Sequence, residues 1–509
     1  MEGYVRSARL EWEKLDGLRQ AMLNRLERLA QLTVPSVLAE EYYNTDTDQL
    51  TNGFTSLGAE GATHLTNKLM LALFAPSRPF MRLELERKVK EQLIANLGVT
   101  EDELTSVLVA GEQDAMEQLE QAGERSVLFE ILLHLVCLGN VLMDLSGDGI
   151  NLIGIRDYVV RRNAKGKVMT LVLREKYCFY ELDEQAQKEY QAKIGNAKYD
   201  DKVCLYTWVR WTEKGYRSSV WVEDCELSDS YKGKWTEDTM PWHPLTWRLP
   251  ARQHYGVGRA EDYANDLAEH ESLSRALSDG SALASTFRWL ANPGGQTRPE
   301  DVTNAVNGAV VPGVANDLSL VFANIGNQLN TVLQIRQDVA RRIGTGFLMN
   351  SAVTRDAERV TAAEIRVQAL ELEGTLGGNY SRLGVDMQKP ISHWMLKKAQ
   401  IKLQGTQIKP IIITGLEALS RSSDRDRMLT FLGDVAALDN IQPNTRARLR
   451  EDNIVADMAA GAGVDRSRYV ATQAEFQQRQ AATEQQQLNQ QAEAAAIEAA
   501  ATTATQEPV

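Results

Sequence analysis

Apolar residues recur at helical spacing in the first third of the chain. Over 7–32 they place Leu15, Leu18, Met22 and Leu29 on one face of an amphipathic helix, which Pro35 should end. Residues 54–74 read as a second helix, stopped by Ala75-Pro76. Residues 80–86 alternate through Phe80, Arg82, Leu83 and Leu85 and predict a strand. Residues 101–138 read as mainly helical. The most apolar stretch, 127–145, carries Glu130, His134, Gly139 and Asp144. A membrane span needs about 20 predominantly apolar residues, so this stretch predicts a buried core helix followed by a strand, with no membrane insertion.

The pattern turns to strands between about 140 and 250. GINLIGIRDYVVRR and VMTLVLREKYCF flank a turn at Asn163–Lys167 and predict a hairpin. VCLYTWVRW and YRSSVWVEDCEL flank a turn at Glu213–Gly215 and predict another. Trp208, Trp211, Tyr216 and Trp221 recur near strand spacing. Cross-strand packing is the ordinary reading of such aromatics, and a base-stacking platform the sharper one.

Helix returns after Pro250. Residues 258–285 begin acidic, with Glu261, Asp262, Asp266, Glu269 and Glu271, which suits the positive end of a helix dipole. The second half is rich in small residues (Ser274, Ala276, Ser278, Gly280, Ser281, Ala282, Ala284, Ser285) that let another helix approach closely. A Gly-, Pro- and Asn-rich insert with short strands follows over 288–324. A helix resumes near Gln328 with the stripe Ile325, Leu329, Val332, Val339 and Ile343. Residues 344–360 form a polar loop. Thr361 and Glu364 then make a capping box, which satisfies orphan amides at a helix start. Ile365, Ala369, Leu372, Leu376, Tyr380, Leu383, Met387, Ile391 and Trp394 continue at three-and-four spacing. Gly377-Gly378, Gly384 and Pro390 predict kinks along that helix. Beyond Pro410 a strand (IIITG) leads to helices over 423–439, 443–460 and from 471. The last part is rich in Ala and Gln and reads as partly disordered.

Length and charge bound what this arrangement can do. The 509 residues suffice for two to four domains, and 43% hydrophobic with 25% charged residues is ordinary for a globular protein. A net charge of −13 argues against wrapping nucleic acid on a basic surface. Cys137, Cys178, Cys204 and Cys225 lack C-x-x-C spacing and read as ordinary thiols of a protein made in a reducing cytoplasm. The start of the chain is charged and amphipathic, unlike a signal peptide.

Catalytic patterns are missing from the sequence. There is no G-x-x-x-x-G-K-[ST] loop, H-E-x-x-H pair or G-x-S-x-G elbow, and Gly256-Val257-Gly258 lacks the third glycine of a dinucleotide fingerprint. His134 reads as a satisfied core histidine. Glu261-Asp262 and Glu371/Glu373 read as solvated or ion-paired surface acids. No enzyme activity, metal or cofactor is expected. An ATPase or nuclease of DNA processing would need a phosphate loop or an acidic metal cluster, and a soluble adaptor or scaffold would be shorter and lack the helix–insert–helix–loop order.

The run NSAVTRDAERVTAAEIRVQALELEGTLGGNYSRLGVDMQKP (350–390) closely resembles the portal, or head-to-tail connector, proteins of T7-like short-tailed bacteriophages. GATHLTNKLMLALFAPSRPFMRL (61–83), PLTWRLPARQHYGVGRAEDYANDL (244–267) and ITGLEALSR (413–421) match the same family in the expected order. The Ala/Gln-rich tail matches weakly. The resemblance implies an α+β, mainly helical portal fold in a ring of about twelve subunits around a central channel, at one capsid vertex of the virion. It implies a wing (1–255), stem helices (256–286 and 326–343), a clip (287–325), a channel loop (344–360), a long kinked wing helix (361–410), a crown (411–480) and a tail (481–509). It implies double-stranded DNA passing through the channel without sequence specificity. The implied partners are the major capsid protein, scaffolding protein, large terminase subunit, tail adaptor protein and internal virion proteins. Arg336, Arg341, Arg342, Asn350, Arg355 and Arg359 become the DNA-channel candidates. The alternative for the arginines is pairing with neighbouring acids or capping a helix end.

Overall fold

A computed structural model of the chain describes residues 7–41, 43, 47–74, 80–84, 110–112, 114–117, 119–120, 123–195, 198–322, 325–349, 372, 374–376, 378–398, 411–414 and 433. The chain forms two compact units, Met1–Ala418 and Leu419–Val509. Apart from residue 433, the expected helices over 423–439, 443–460 and from 471 lie outside the described residues, as do the tail and the capping box at Thr361–Glu364.

The core of the first unit is built on one helix. Helices α1 (Ala8–Gly17), α2 (Gln20–Leu32) and α3 (Leu57–Leu73) precede α4 (Arg125–Leu138). In α4, Leu128 and every residue from Ile131 to Leu138 are buried, so the helix is enclosed on nearly all sides. Gly139 ends it in the left-handed region at φ 74°, where a glycine is unstrained, and its amide reaches back to the carbonyls of His134 and Leu135. Strand β2 (Asn140–Asp144) follows at once, buried at all five positions. It is the middle of a three-stranded antiparallel sheet with β3 (Asn151–Ile153) and β10 (Trp242–Thr246), in which Leu142 faces Ile153 and Pro244. The expected helix-then-strand reading of 127–145 is what the structure shows. Among the described residues no helix is long and apolar enough to cross a membrane.

Both expected hairpins form and join in a six-stranded sheet. Strands β4 (Tyr158–Arg162), β5 (Val168–Cys178), β6 (Lys202–Thr212), β7 (Gly215–Val222) and β8 (Cys225–Glu226) lie in chain order, with β9 (Gly233–Trp235) paired to β7. The first arm is divided: residues 151–153 serve the other sheet, and a 3-10 turn over Ile155–Asp157 intervenes before β4. The aromatics are packing residues. Trp208, Tyr216 and Trp221 are buried, Trp211 meets Tyr216 edge-on at 4.9 Å, and Trp12 of α1 covers Tyr206 at 6.3 Å. Buried rings cannot serve as a base-stacking platform. The strand at 80–86 and the IIIT strand pair with each other as β1 (Met81–Glu84) and the last strand, Ile411–Thr414.

Three helical expectations need correction. The single helix over 7–32 breaks at Leu18-Arg19, and it ends at Leu32; Pro35 opens a 3-10 turn instead. Arg19 is buried and donates to the carbonyls of Ile155, Arg156 and Tyr158, which turns α1 onto the six-stranded sheet and leaves Leu18 78% exposed. Residues 258–285 also divide, into a short turn of helix α6 (Arg259–Asp262) and α7 (Ala264–Ser285), with Tyr263 between; α5 is Glu184–Lys193 on the six-stranded sheet. The helix expected to stop at 343 continues to Gly346.

The apolar stripe after the loop is buried at every described position: Leu372, Leu376, Tyr380, Leu383, Met387, Ile391 and Trp394. Its interruptions are sharper than kinks. Gly378 takes φ 65°, and a π-helical turn over Gly384–Gln388 precedes the helix Lys389–Lys398. Pro390 has no amide to offer the preceding turn, which accounts for the widened ladder there. His134 is buried, but its Nδ1 has no hydrogen-bond partner, so the expected satisfied histidine is only buried. The four cysteines are free, and burial pushes the Cys137 thiol up to about 12.

Candidate functional site

The long helix pair is rooted in a crossing of glycine backbones. Gly139, after the core helix, lies against Val257-Gly258, at the start of the segment leading into the pair. A Cβ on Gly139 would sit 2.2 Å from the Gly258 nitrogen, and one on Gly256 would sit 2.8 Å from the Gly139 oxygen. Asn140, fully buried, ties the crossing together. Its Nδ2 donates to the carbonyls of Leu138 (3.0 Å) and Gly256 (2.8 Å), and its Oδ1 accepts the Gly256 amide at 2.6 Å. The G-V-G segment is therefore a close-packing device and no phosphate loop.

From this root, α7 runs outward. The chain turns through the insert, whose only described α-helix is α8 (Pro299–Thr303), and returns as α9 (Gly326–Gly346). The two long helices are antiparallel neighbours: Gly346 meets Tyr263, Arg342 meets Asp266, and Gly280 meets Leu329. A Cβ on Gly280 would sit 2.6 Å from a Leu329 methyl, so the small-residue half of α7 does admit close approach. At the tip, β11 (Phe287–Ala291) and β12 (Leu318–Phe322) form a hairpin with Trp289 opposite Leu320. The insert has almost no core. Of the described side chains over 287–322 only Thr297 is buried, and Trp289 is 60% exposed.

The inner end of α9 is held by three other elements. Arg259 Nε donates to the Gly346 carbonyl at 3.0 Å. The Tyr263 ring lies across Gly346 and 5.8 Å from the Phe347 ring. Phe347 is fully buried against Gly61 of α3, and the carbonyl of Leu348 meets His64 Nε2 at 3.1 Å and Lys68 Nζ at 3.3 Å. None of Arg259, Tyr263, His64 or Lys68 was among the expected site residues. The i, i+4 spacing of His64 and Lys68, which puts both on one face of α3, was the available signal.

The three described candidate arginines do not converge. Arg342 pairs across the helix pair with Asp266 at 3.0 Å and Glu269 at 3.5 Å. Arg341 pairs with Asp338 of its own helix at 3.5 Å. Arg336 is half-buried near His270, whose pKa is lowered first by burial and then by that arginine's charge. Asn350, Arg355 and Arg359 lie outside the described residues. No group of three or more potential metal ligands occurs among the described residues.

A folded body that sends out a helix pair tipped by an almost coreless hairpin has the form of a structural connector. The profile of the bacteriophage head to tail connecting protein matches residues 6–470. The portal protein of Enterobacteria phage SP6 is 33% identical over 82% of this chain and 81% of its own length. That of Escherichia phage T7 is 32% identical over 98% and 95%. Among solved structures, a chain of the virion of native gene transfer agent (GTA) particle is similar at a TM-score of 0.34 and 15% identity, over 72% of this chain and 94% of that one. The chain belongs to the head to tail connecting protein family of bacteriophages, and its role is that of a portal. The adaptor-or-scaffold alternative is not favoured by these matches.

Proposed function

We propose that about twelve copies close into a ring at one capsid vertex and that double-stranded DNA passes through its centre during packaging and ejection. In this reading α7 and α9 are stem helices, 287–325 the clip, the part of 344–360 beyond Gly346 the channel loop, 361–410 with the body the wing, and 411–480 the crown. The observation that carries it is the insert. A two-stranded hairpin is at best marginally stable alone, and this one exposes Trp289, Leu290 and Leu320, while the stem helices expose Leu283 and Ile335. Neighbouring copies around a ring would cover such surfaces through head-to-tail contacts that close by rotation.

The acidic net charge, repeated around a ring, would keep a polyanion from sticking to the wall. Arg336, Arg341, Arg342, Asn350, Arg355 and Arg359 remain the channel candidates. The large terminase subunit and then the tail adaptor would dock at the clip, and the capsid, scaffolding and internal virion proteins would meet the wing and crown. Negative-stain microscopy of the purified protein tests the ring: particles with a central hole are expected, and uniformly monomeric particles would sink the reading. Deleting 350–357 should leave rings intact and impair packaging or DNA retention. Failure of the deleted protein to form rings would remove the channel-facing assignment.

A further inference from the structure

Two surfaces of the body stay uncovered in the single chain. Outside the insert, Leu18 at 78% and Tyr199 at 69% are the most exposed large apolar side chains among the described residues. Each belongs to a built feature. The Tyr199 ring stacks on Tyr180 with centroids 4.5 Å apart and planes inclined by 10°, and the Tyr180 amide bonds to the Tyr199 carbonyl at 3.2 Å. Tyr180 is itself exposed, so the stack stands as a double ring beyond the paired ends of β5 and β6. Acids border it. Glu181, Asp183 and Glu184 follow Tyr180, and Asp200 and Asp201 follow Tyr199, against Lys198 and Lys202.

Leu18 lies in a groove of about 830 Å³, where the break between α1 and α2 faces β4 and the 250–257 segment. Leu18, Met22, Val160 and Val257 supply apolar walls, and Lys14, Arg25 and Arg161 supply positive charge. The one acid there, Glu261, is already paired with Arg25 at 2.8 Å, while Lys14 and Arg161 are exposed. The groove is thus apolar and basic where the double ring is apolar and acidic. One chain cannot bring the two together. Val160 and Arg161 pair with Leu171 and Thr170 of β5, and the double ring begins just past the far end of that strand. From Leu171 to Cys178 the strand rises about 23 Å at about 3.3 Å per residue. Because the two surfaces differ and do not overlap, a contact between them is head-to-tail and leaves each copy able to make another.

We propose that the Tyr180–Tyr199 stack of one copy seats in the Leu18 groove of a second copy. The rings cover Leu18 and Met22, and the acids beside them face Lys14, Arg25 and Arg161. The contact itself joins any two copies; its repetition into a closed circle rests on the ring proposed above.

The test is disulfide formation in full-length protein carrying Ala21→Cys in the groove and Asp200→Cys beside the stack. A Cys178→Ser background removes the thiol two residues from Tyr180. Both new cysteines replace exposed residues and leave every apolar contact in place. Mild oxidation should give a ladder of covalent oligomers on a non-reducing gel, and each single variant should stay monomeric there. Lys14→Glu with Arg161→Glu should cut the ladder about tenfold, and adding Glu181→Lys with Glu184→Lys should restore it. A ladder unchanged by the first reversal, or not restored by the second, overturns the contact. So does a covalent dimer from Ala21→Cys alone, which would make the contact isologous. No ladder from protein that microscopy shows as rings overturns the contact and leaves the ring standing. A ladder without closed rings supports the contact and counts against the ring.

Discussion

Gly139 and Gly258 approach so closely that a single methyl group on Gly139 would lie 2.2 Å from the Gly258 nitrogen. The contact joins the end of the core helix to the start of the segment that carries the helix pair. Nothing in it can give way, because both partners are backbone. Gly139→Ala adds this clash to a φ of 74°. Gly123 supplies the control, with φ 69° and nothing within 4 Å of a built Cβ. Gly123→Ala should cost only the left-handed penalty of about 1–2 kcal/mol. Gly139→Ala should cost well beyond that, read as a larger drop in urea midpoint or as loss of soluble protein. Equal costs at the two sites would show that the crossing tolerates a side chain.

Two arginines that look alike in the sequence differ sharply in place. Arg19 is buried, bonded to three backbone carbonyls, and paired with Asp16 at 2.8 Å. Arg19→Ala strands those acceptors and the acid, and should destabilise by about 3–5 kcal/mol. Arg342 bridges Asp266 and Glu269 from an exposed position. Arg342→Ala should cost less than about 1 kcal/mol, shrinking further in high salt. Thermal unfolding of the two variants at low and high salt checks both statements.

This contrast marks what the sequence could reveal. Local periodicity carried the strands, both hairpins and the buried stripe from Leu372 to Trp394, because burial on one face repeats at the period of the element. The break at Leu18-Arg19 is preceded by a local signal, the Asp16-Gly17 pair, but the direction the chain takes follows from three carbonyls more than 130 residues away. The Gly256-Val257-Gly258 segment showed only that it was no nucleotide loop, since its partner Gly139 is distant in sequence. The anchor at Gly346–Leu348 was hidden for the same reason. It joins α3, Arg259 and the end of α9, and only Tyr263 and Arg259 are neighbours in the chain.

Burial lowers the His134 pKa to about 4 from an ordinary 6.5. The folded state therefore binds this proton less readily than the unfolded chain. Its contribution is fully present above pH 6.5 and is lost as pH falls toward 4, by up to about 3 kcal/mol. His243, also lowered to about 4 chiefly by burial, acts in the same direction. Since His134 Nδ1 has no hydrogen-bond partner, His134→Leu should be neutral or stabilising at pH 7. It should also make the loss of stability between pH 6.5 and 4 shallower. Urea midpoints across that range decide it; an unchanged pH slope would mean that His134 titrates normally.

The Tyr263 ring and Gly346 share one small volume where the helix pair meets the body. A Cβ on Gly346 would lie 2.2 Å from the ring carbon that bears the hydroxyl, and the ring cannot swing away freely because Phe347 and Arg259 flank it, the latter at 5.1 Å. Gly280 offers the opposite case in the same pair of helices, since its obstacle is a Leu329 methyl at the end of a flexible side chain. Gly346→Ala should therefore destabilise by about 1–3 kcal/mol through overpacking. Gly280→Ala should be near neutral, because its smaller clash is offset by a helix-propensity gain of about 1 kcal/mol. The cause of the first loss is separable. In a Tyr263→Ala background the three atoms nearest the added methyl at Gly346 are gone, so the double variant should be more stable than the sum of the two single losses by about 1 kcal/mol or more. Additive losses in that cycle, measured by urea unfolding, would place the cost of Gly346→Ala in the backbone and not in the ring.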